Sequence, residues 1–81
     1  MRLPGDVSGT DLVKTLRLLG YEETRQTGSH IRLTSTCEGE HHVTIPAHDP
    51  LKLGTLAAIV ADIAQQRKVS KEHIVHLIFG R

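Results

Sequence analysis

Residues 25–34 read Arg25-Gln26-Thr27-Gly28-Ser29-His30-Ile31-Arg32-Leu33-Thr34. After the Gly28-Ser29 turn the run alternates, with Ile31 and Leu33 on one face and His30, Arg32 and Thr34 on the other. A period of two behind a turn signal predicts a half-buried strand over 30–34. The same pattern returns in His42-Val43-Thr44-Ile45, where Val43 and Ile45 point inward and Pro46 ends the run because proline has no ladder donor. Glu38-Gly39-Glu40 supplies the intervening turn. Tyr21 to Thr27 is polar and only weakly strand-like; its place between a helix stop and the Gly28-Ser29 turn is what marks it as a strand. The three runs predict an antiparallel meander, polar on one side and apolar on the other.

Helices flank this meander. Ser8 is an expected N-cap, with Asp11 near the positive helix end. Leu12, Val13, Leu16 and Leu19 follow at helical spacing, and Gly20 stands where a left-handed C-cap belongs, so residues 9–19 are expected to be one amphipathic helix. Ala47 to Lys52 is a loop punctuated by Asp49-Pro50. A second helix starts at Leu53, with Leu53, Leu56, Ile59, Val60 and Ile63 as its apolar stripe and Gln65-Gln66-Arg67-Lys68 as its solvated end. Ser70 caps a third helix over 71–79, and Val69 with Ile74 fits a hydrophobic staple. There is no repeat, low-complexity tract or linker. The expected fold is one two-layer α+β domain covering 1–81, a three-stranded antiparallel sheet with helices on one face.

Composition limits the function. A chain of 81 residues has room for one small core, and aromatic residues are only Tyr21 and Phe79, so Leu, Ile, Val and Ala are expected to fill it. Cys37 is alone, which excludes a disulfide framework and fits a reducing cytoplasm. Its acidic neighbour Glu38 disfavours a reactive thiolate. Met1 to Asp6 lacks the apolar core of a signal peptide, and no run reaches membrane-spanning length. Ten basic against nine acidic residues leave a formal charge of +1, so any nucleic-acid contact must rest on a local patch.

The Arg25 to Thr34 segment offers such a patch. Histidine exchanges protons near neutral pH, arginine holds phosphate oxygens with a planar fork, and a turn exposes the residues it carries. His30, Arg25 and Arg32 therefore read as a small site for phosphodiesters, against plain solvated strand surface as the alternative. Arg32 shares a strand face with His30 and is the stronger of the two arginines. Lys52, just before Leu53-Gly54-Thr55, lies near a helix start where free N–H groups attract anions, although it also reads as an ordinary surface lysine.

Several segments, in order, are similar to one family: Ser8-Gly9, Leu19-Gly20-Tyr21, Arg25-Gln26-Thr27-Gly28-Ser29-His30, Val43-Thr44-Ile45-Pro46-Ala47-His48 and Leu51-Lys52-Leu53-Gly54-Thr55-Leu56. Each is short; their order and spacing over residues 8 to about 60 resemble the HicA toxins of bacterial and archaeal toxin–antitoxin systems. The resemblance implies a double-stranded-RNA-binding-domain-like fold and a metal-independent endoribonuclease that cuts mRNA, an mRNA interferase neutralised by a HicB-like antitoxin. It places the catalytic histidine at His30, with no cofactor, and implies RNA contacts at Arg25, Ser29, Arg32 and Lys52.

The remaining histidines have other readings. His42, on the polar face of its strand, is a candidate general acid from alternation alone. His48 matches a family histidine with a structural or substrate-side role. His41, His42 and His48 lack a metal-site spacing, and His73 with His76, three apart, reads as surface or partner contact rather than a metal pair. The apolar Ile74 to Phe79 run either completes the core or forms a homodimer contact. The function alternatives are an RNA-cleaving toxin and a non-catalytic RNA- or protein-binding module of the same fold. A binding module would call for Lys and Arg reaching phosphates rather than a histidine beside a turn.

Overall fold

A computed structural model describes residues 2–80. The order is α1 (Gly9–Leu16), a 3₁₀ turn (Arg17–Leu19), β1 (Glu22–Thr27), β2 (His30–Ser35), β3 (His41–Pro46), α2 (Leu53–Arg67) and α3 (Lys71–Phe79). The strands form one antiparallel sheet in the order β1-β2-β3. This is the expected α+β arrangement, with β2 and β3 each slightly longer than the alternation marked.

The Ser8 cap forms as expected and is reciprocal: Asp11 N–H donates to Ser8 Oγ at 3.0 Å, and Ser8 N–H donates to Asp11 Oδ2 at 3.3 Å. Leu12, Val13 and Leu16 are buried. The expected single helix over 9–19 tightens to a 3₁₀ turn in its last three residues, leaving Leu18 exposed and Leu19 buried before Gly20 stops it at φ 86°. Gly9 makes a close approach possible: a Cβ there would stand 2.0 Å from the Pro46 carbonyl oxygen. Gly9 N–H also donates to the His48 carbonyl at 2.8 Å, so α1 begins directly against the end of β3.

Ile31, Leu33, Val43 and Ile45 are buried under α1 and α2, while α3 packs on α2, α1 and the 3₁₀ turn. Ile74, Val75 and Ile78 are buried and Phe79 packs against the same core, which accounts for most of that apolar run within one chain. Ser70 caps α3 through the His73 N–H. Val69 and Ile74 line one groove, as a staple requires, with Val69 partly exposed.

Four expectations need correction. Tyr21 is not a strand residue; it lies just before β1 and is among the largest fully buried side chains, so the core is not purely aliphatic. All six residues of β1 are exposed, so the apolar inner face of the sheet belongs to β2 and β3. Leu53 is half exposed rather than part of the buried stripe; it is the first residue of α2, and Ala64 takes the inward place at the other end. Arg67 is not solvated: its guanidinium donates to the Leu19 carbonyl and, at 3.1 Å, to Ser35 Oγ, and lies 5.3 Å from the Tyr21 ring centroid.

Candidate functional site

The outer face of the sheet is set out in rows by the strand register. Thr27 pairs with His30 and His30 with Pro46; Arg25 pairs with Arg32 and Arg32 with Thr44; Glu22 pairs with Thr34 and Thr34 with His42. The first two rows surround a shallow depression of about 200 Å³ lined by Arg25, Thr27, His30, Arg32 and Thr44. The structure thus brings together three of the residues singled out in the sequence, His30, Arg25 and Arg32, and adds two hydroxyls. Period-two alternation puts Thr44 on the same outer face as Arg32, and the register then sets the two opposite each other; Thr27 follows from the hairpin turn.

The turn explains how His30 reaches this place. Gly28 has φ 57°, at the first position of a two-residue hairpin where II′ geometry demands glycine. The Ser29 carbonyl accepts from the Ala47 N–H at 2.6 Å, tying the turn to the chain leaving β3. His30 is exposed, and among the described residues no hydrogen bond engages its ring. A ring in this state is free to bond a ligand. Two guanidinium groups on the adjoining row favour an anion there.

Other expected residues lie elsewhere. Ser29 is exposed in the turn, and its bond to Ala47 is made by the backbone. Lys52 is the exposed N-cap residue of α2 and does not line the depression. His48 contributes its carbonyl to the start of α1, a structural contact. His42 does lie on the outer face, but two rows from His30, about 13 Å along the strand at the usual rise of ~3.3 Å per residue. Its Nδ1 lies 2.7 Å from Thr34 Oγ1 and its Nε2 2.9 Å from Glu40. The register therefore does not bring the candidate general acid to a phosphodiester held beside His30. His73 borders the groove between α3 and the 3₁₀ turn, and among the described residues no three His, Cys, Asp or Glu side chains are placed to share a metal.

One titratable group outside the depression is perturbed. Burial pushes the Tyr21 hydroxyl above the ordinary tyrosine value, opposed by the Arg67 guanidinium. Tyr21 OH lies 2.7 Å from His41 Nδ1, and His41 Nε2 3.2 Å from Asp62. This network joins the buried Tyr21 to β3 and, at the surface, β3 to α2.

No helix of the described residues is long and apolar enough to cross a membrane. Neither the curated proteins nor the solved structures include a match to this chain. A family model described as the HicA toxin of bacterial toxin–antitoxin systems matches residues 9–66, which include α1, the whole sheet with its depression and nearly all of α2. With most of its length matched to that model, the chain belongs to the HicA toxin family.

Proposed function

We propose that this protein is the RNA-cleaving toxin of its toxin–antitoxin pair, acting on mRNA in the cytoplasm and neutralised by a HicB-like antitoxin. The observation that carries the reading is the open depression in which His30, with its ring free, stands one row from Arg25 and Arg32. RNA brings its own nucleophile. His30 removes the 2′-hydroxyl proton, the 2′-oxygen attacks the adjacent phosphorus, and the 5′-oxygen leaves with a proton taken from water. The products are a 2′,3′-cyclic phosphate and a 5′-hydroxyl end. Arg25 and Arg32 hold the non-bridging oxygens of the phosphate and so bind and orient the RNA. The nucleophile is already part of the substrate, so the mechanism calls for no metal.

His30→Ala tests this. The variant should keep its fold and lose RNA cleavage by about 10²–10⁴-fold, the usual worth of a general base. Wild-type cleavage should persist in chelator and stop on DNA or on RNA methylated at the 2′-oxygen. Cleavage of DNA, or an unchanged rate in His30→Ala, would overturn the mechanism. Tight RNA binding without cleavage would establish the non-catalytic module instead.

A further inference from the structure

One irregularity lies beside the depression. β1 pairs as Glu22↔Thr34 and Glu23↔Leu33, then resumes as Arg25↔Arg32, so Thr24 is an extra residue, a bulge. Its hydroxyl donates to the Arg32 carbonyl at 3.4 Å and lies 3.1 Å from Thr34 Oγ1, which in turn lies 2.7 Å from His42 Nδ1. Both outer partners of this string only accept, so Thr24 donates to the Arg32 carbonyl and His42 Nε2–H donates to the Glu40 carboxylate, 2.9 Å away. The string runs across all three strands on the outer face and ends on the backbone of Arg32, the residue paired with Arg25.

We propose that Thr34 is a positioning residue for the phosphate site. Through Thr24 it holds the bulge in the shape that sets Arg25 beside Arg32, and through His42 it is itself held in one rotamer. The bulge shifts the register immediately before Arg25, and bulges beside sites re-aim side chains in this way. Thr34 touches no substrate in this scheme. Its effect reaches the RNA phosphate only through the two arginines, and the proposal rests on the ribonuclease reading of the same face.

The test is Thr34→Val, which keeps the β-branched shape on a half-exposed strand position and removes the hydroxyl, with Thr34→Ser as the rescue. On a short RNA, Thr34→Val should raise KM roughly three- to tenfold, the factor that losing one net hydrogen bond corresponds to. Its kcat should stay near the wild-type value, because arginines that hold phosphate in ground and transition state alike act on KM. Thr34→Ser should restore KM. Two further readouts do not depend on cleavage: affinity for the same RNA methylated at every 2′-oxygen should fall by the same factor, and the Arg25 and Arg32 Nε–H resonances should move in Thr34→Val and return in Thr34→Ser. If wild-type protein fails to cut RNA, the ribonuclease reading falls while these two readouts still decide the positioning role. Unmoved arginine resonances with unchanged affinity, or a loss confined to kcat, would overturn the proposal.

Discussion

Replacing Arg67 by methionine removes a charged fork from the centre of the fold while keeping much of the apolar stem. The guanidinium donates to the Leu19 carbonyl and to Ser35 Oγ and covers the Tyr21 ring at 5.3 Å. The loss falls mainly on Leu19, because Ser35 Oγ also accepts from the Cys37 N–H at 3.3 Å. A hydrogen bond from a charged group is worth about 1.5–3 kcal/mol and a cation–π contact about 0.5–2. One group makes all three contacts, so they do not simply add, and a loss of about 2–4 kcal/mol is expected. A domain of 81 residues has roughly 4–12 kcal/mol in total at about 0.05–0.15 per residue. The variant should therefore melt about 10–25 °C lower, at roughly 4–8 °C per kcal/mol for a domain this small. Thermal denaturation followed by circular dichroism measures it, with Arg67→Lys expected in between because it keeps the charge without the fork. A drop of less than about 4 °C, under ~1 kcal/mol, would refute the claim that Arg67 ties α2 to the 3₁₀ turn and sheet.

Gly9→Ala should destabilise by about 1–3 kcal/mol despite the better helix propensity of alanine, because its Cβ would meet the Pro46 carbonyl. A chemical-denaturation midpoint equal to or above wild type would contradict the close approach of α1 to β3. Alkaline titration offers a second check. Burial raises the Tyr21 pKa, so the folded state holds that proton longer than the unfolded chain; the stability this brings is full below about pH 10 and is lost as pH climbs above it. In Tyr21→Phe that share of the alkaline fall should be missing from the denaturation midpoints, and identical pH profiles would count against it.

Much of this architecture is readable because its causes are local. Ser8 and Asp11 cap a helix three residues apart, Gly20 ends it, and the alternation of Ile31 with Leu33 and of Val43 with Ile45 decides which face of the sheet is buried. That alternation also puts His30 and Arg32 on one side. The errors belong to contacts between distant segments. Tyr21 sits in a polar stretch and is buried because Arg67, His41 and the core close over it from elsewhere in the chain. Arg67 reads as a solvated helix end because nothing near it in sequence reveals Leu19 or Ser35. The Thr24 bulge is invisible in sequence because a register shift belongs to a strand pair, not to either strand; with it goes the relation of Arg25 to Arg32. His42 shares the correct face, but alternation alone does not say how many rows separate two residues.

The strand β2 carries two interleaved texts. Its even positions, His30, Arg32 and Thr34, face solvent, and its odd positions, Ile31, Leu33 and Ser35, are buried. The residues proposed for chemistry therefore bear little of the cost of folding, although each is bonded in sequence to one that does. Selection can act on the two sets almost independently. A lineage that lost or changed the activity would keep Ile31, Leu33, Val43 and Ile45 while the outer rows drifted, and a survey of substitutions at His30 would report on chemistry with little confusion from misfolding. The same separation leaves the proposed site broad and shallow rather than enclosed, so a ligand taken there would lie across strands and not fill a cavity.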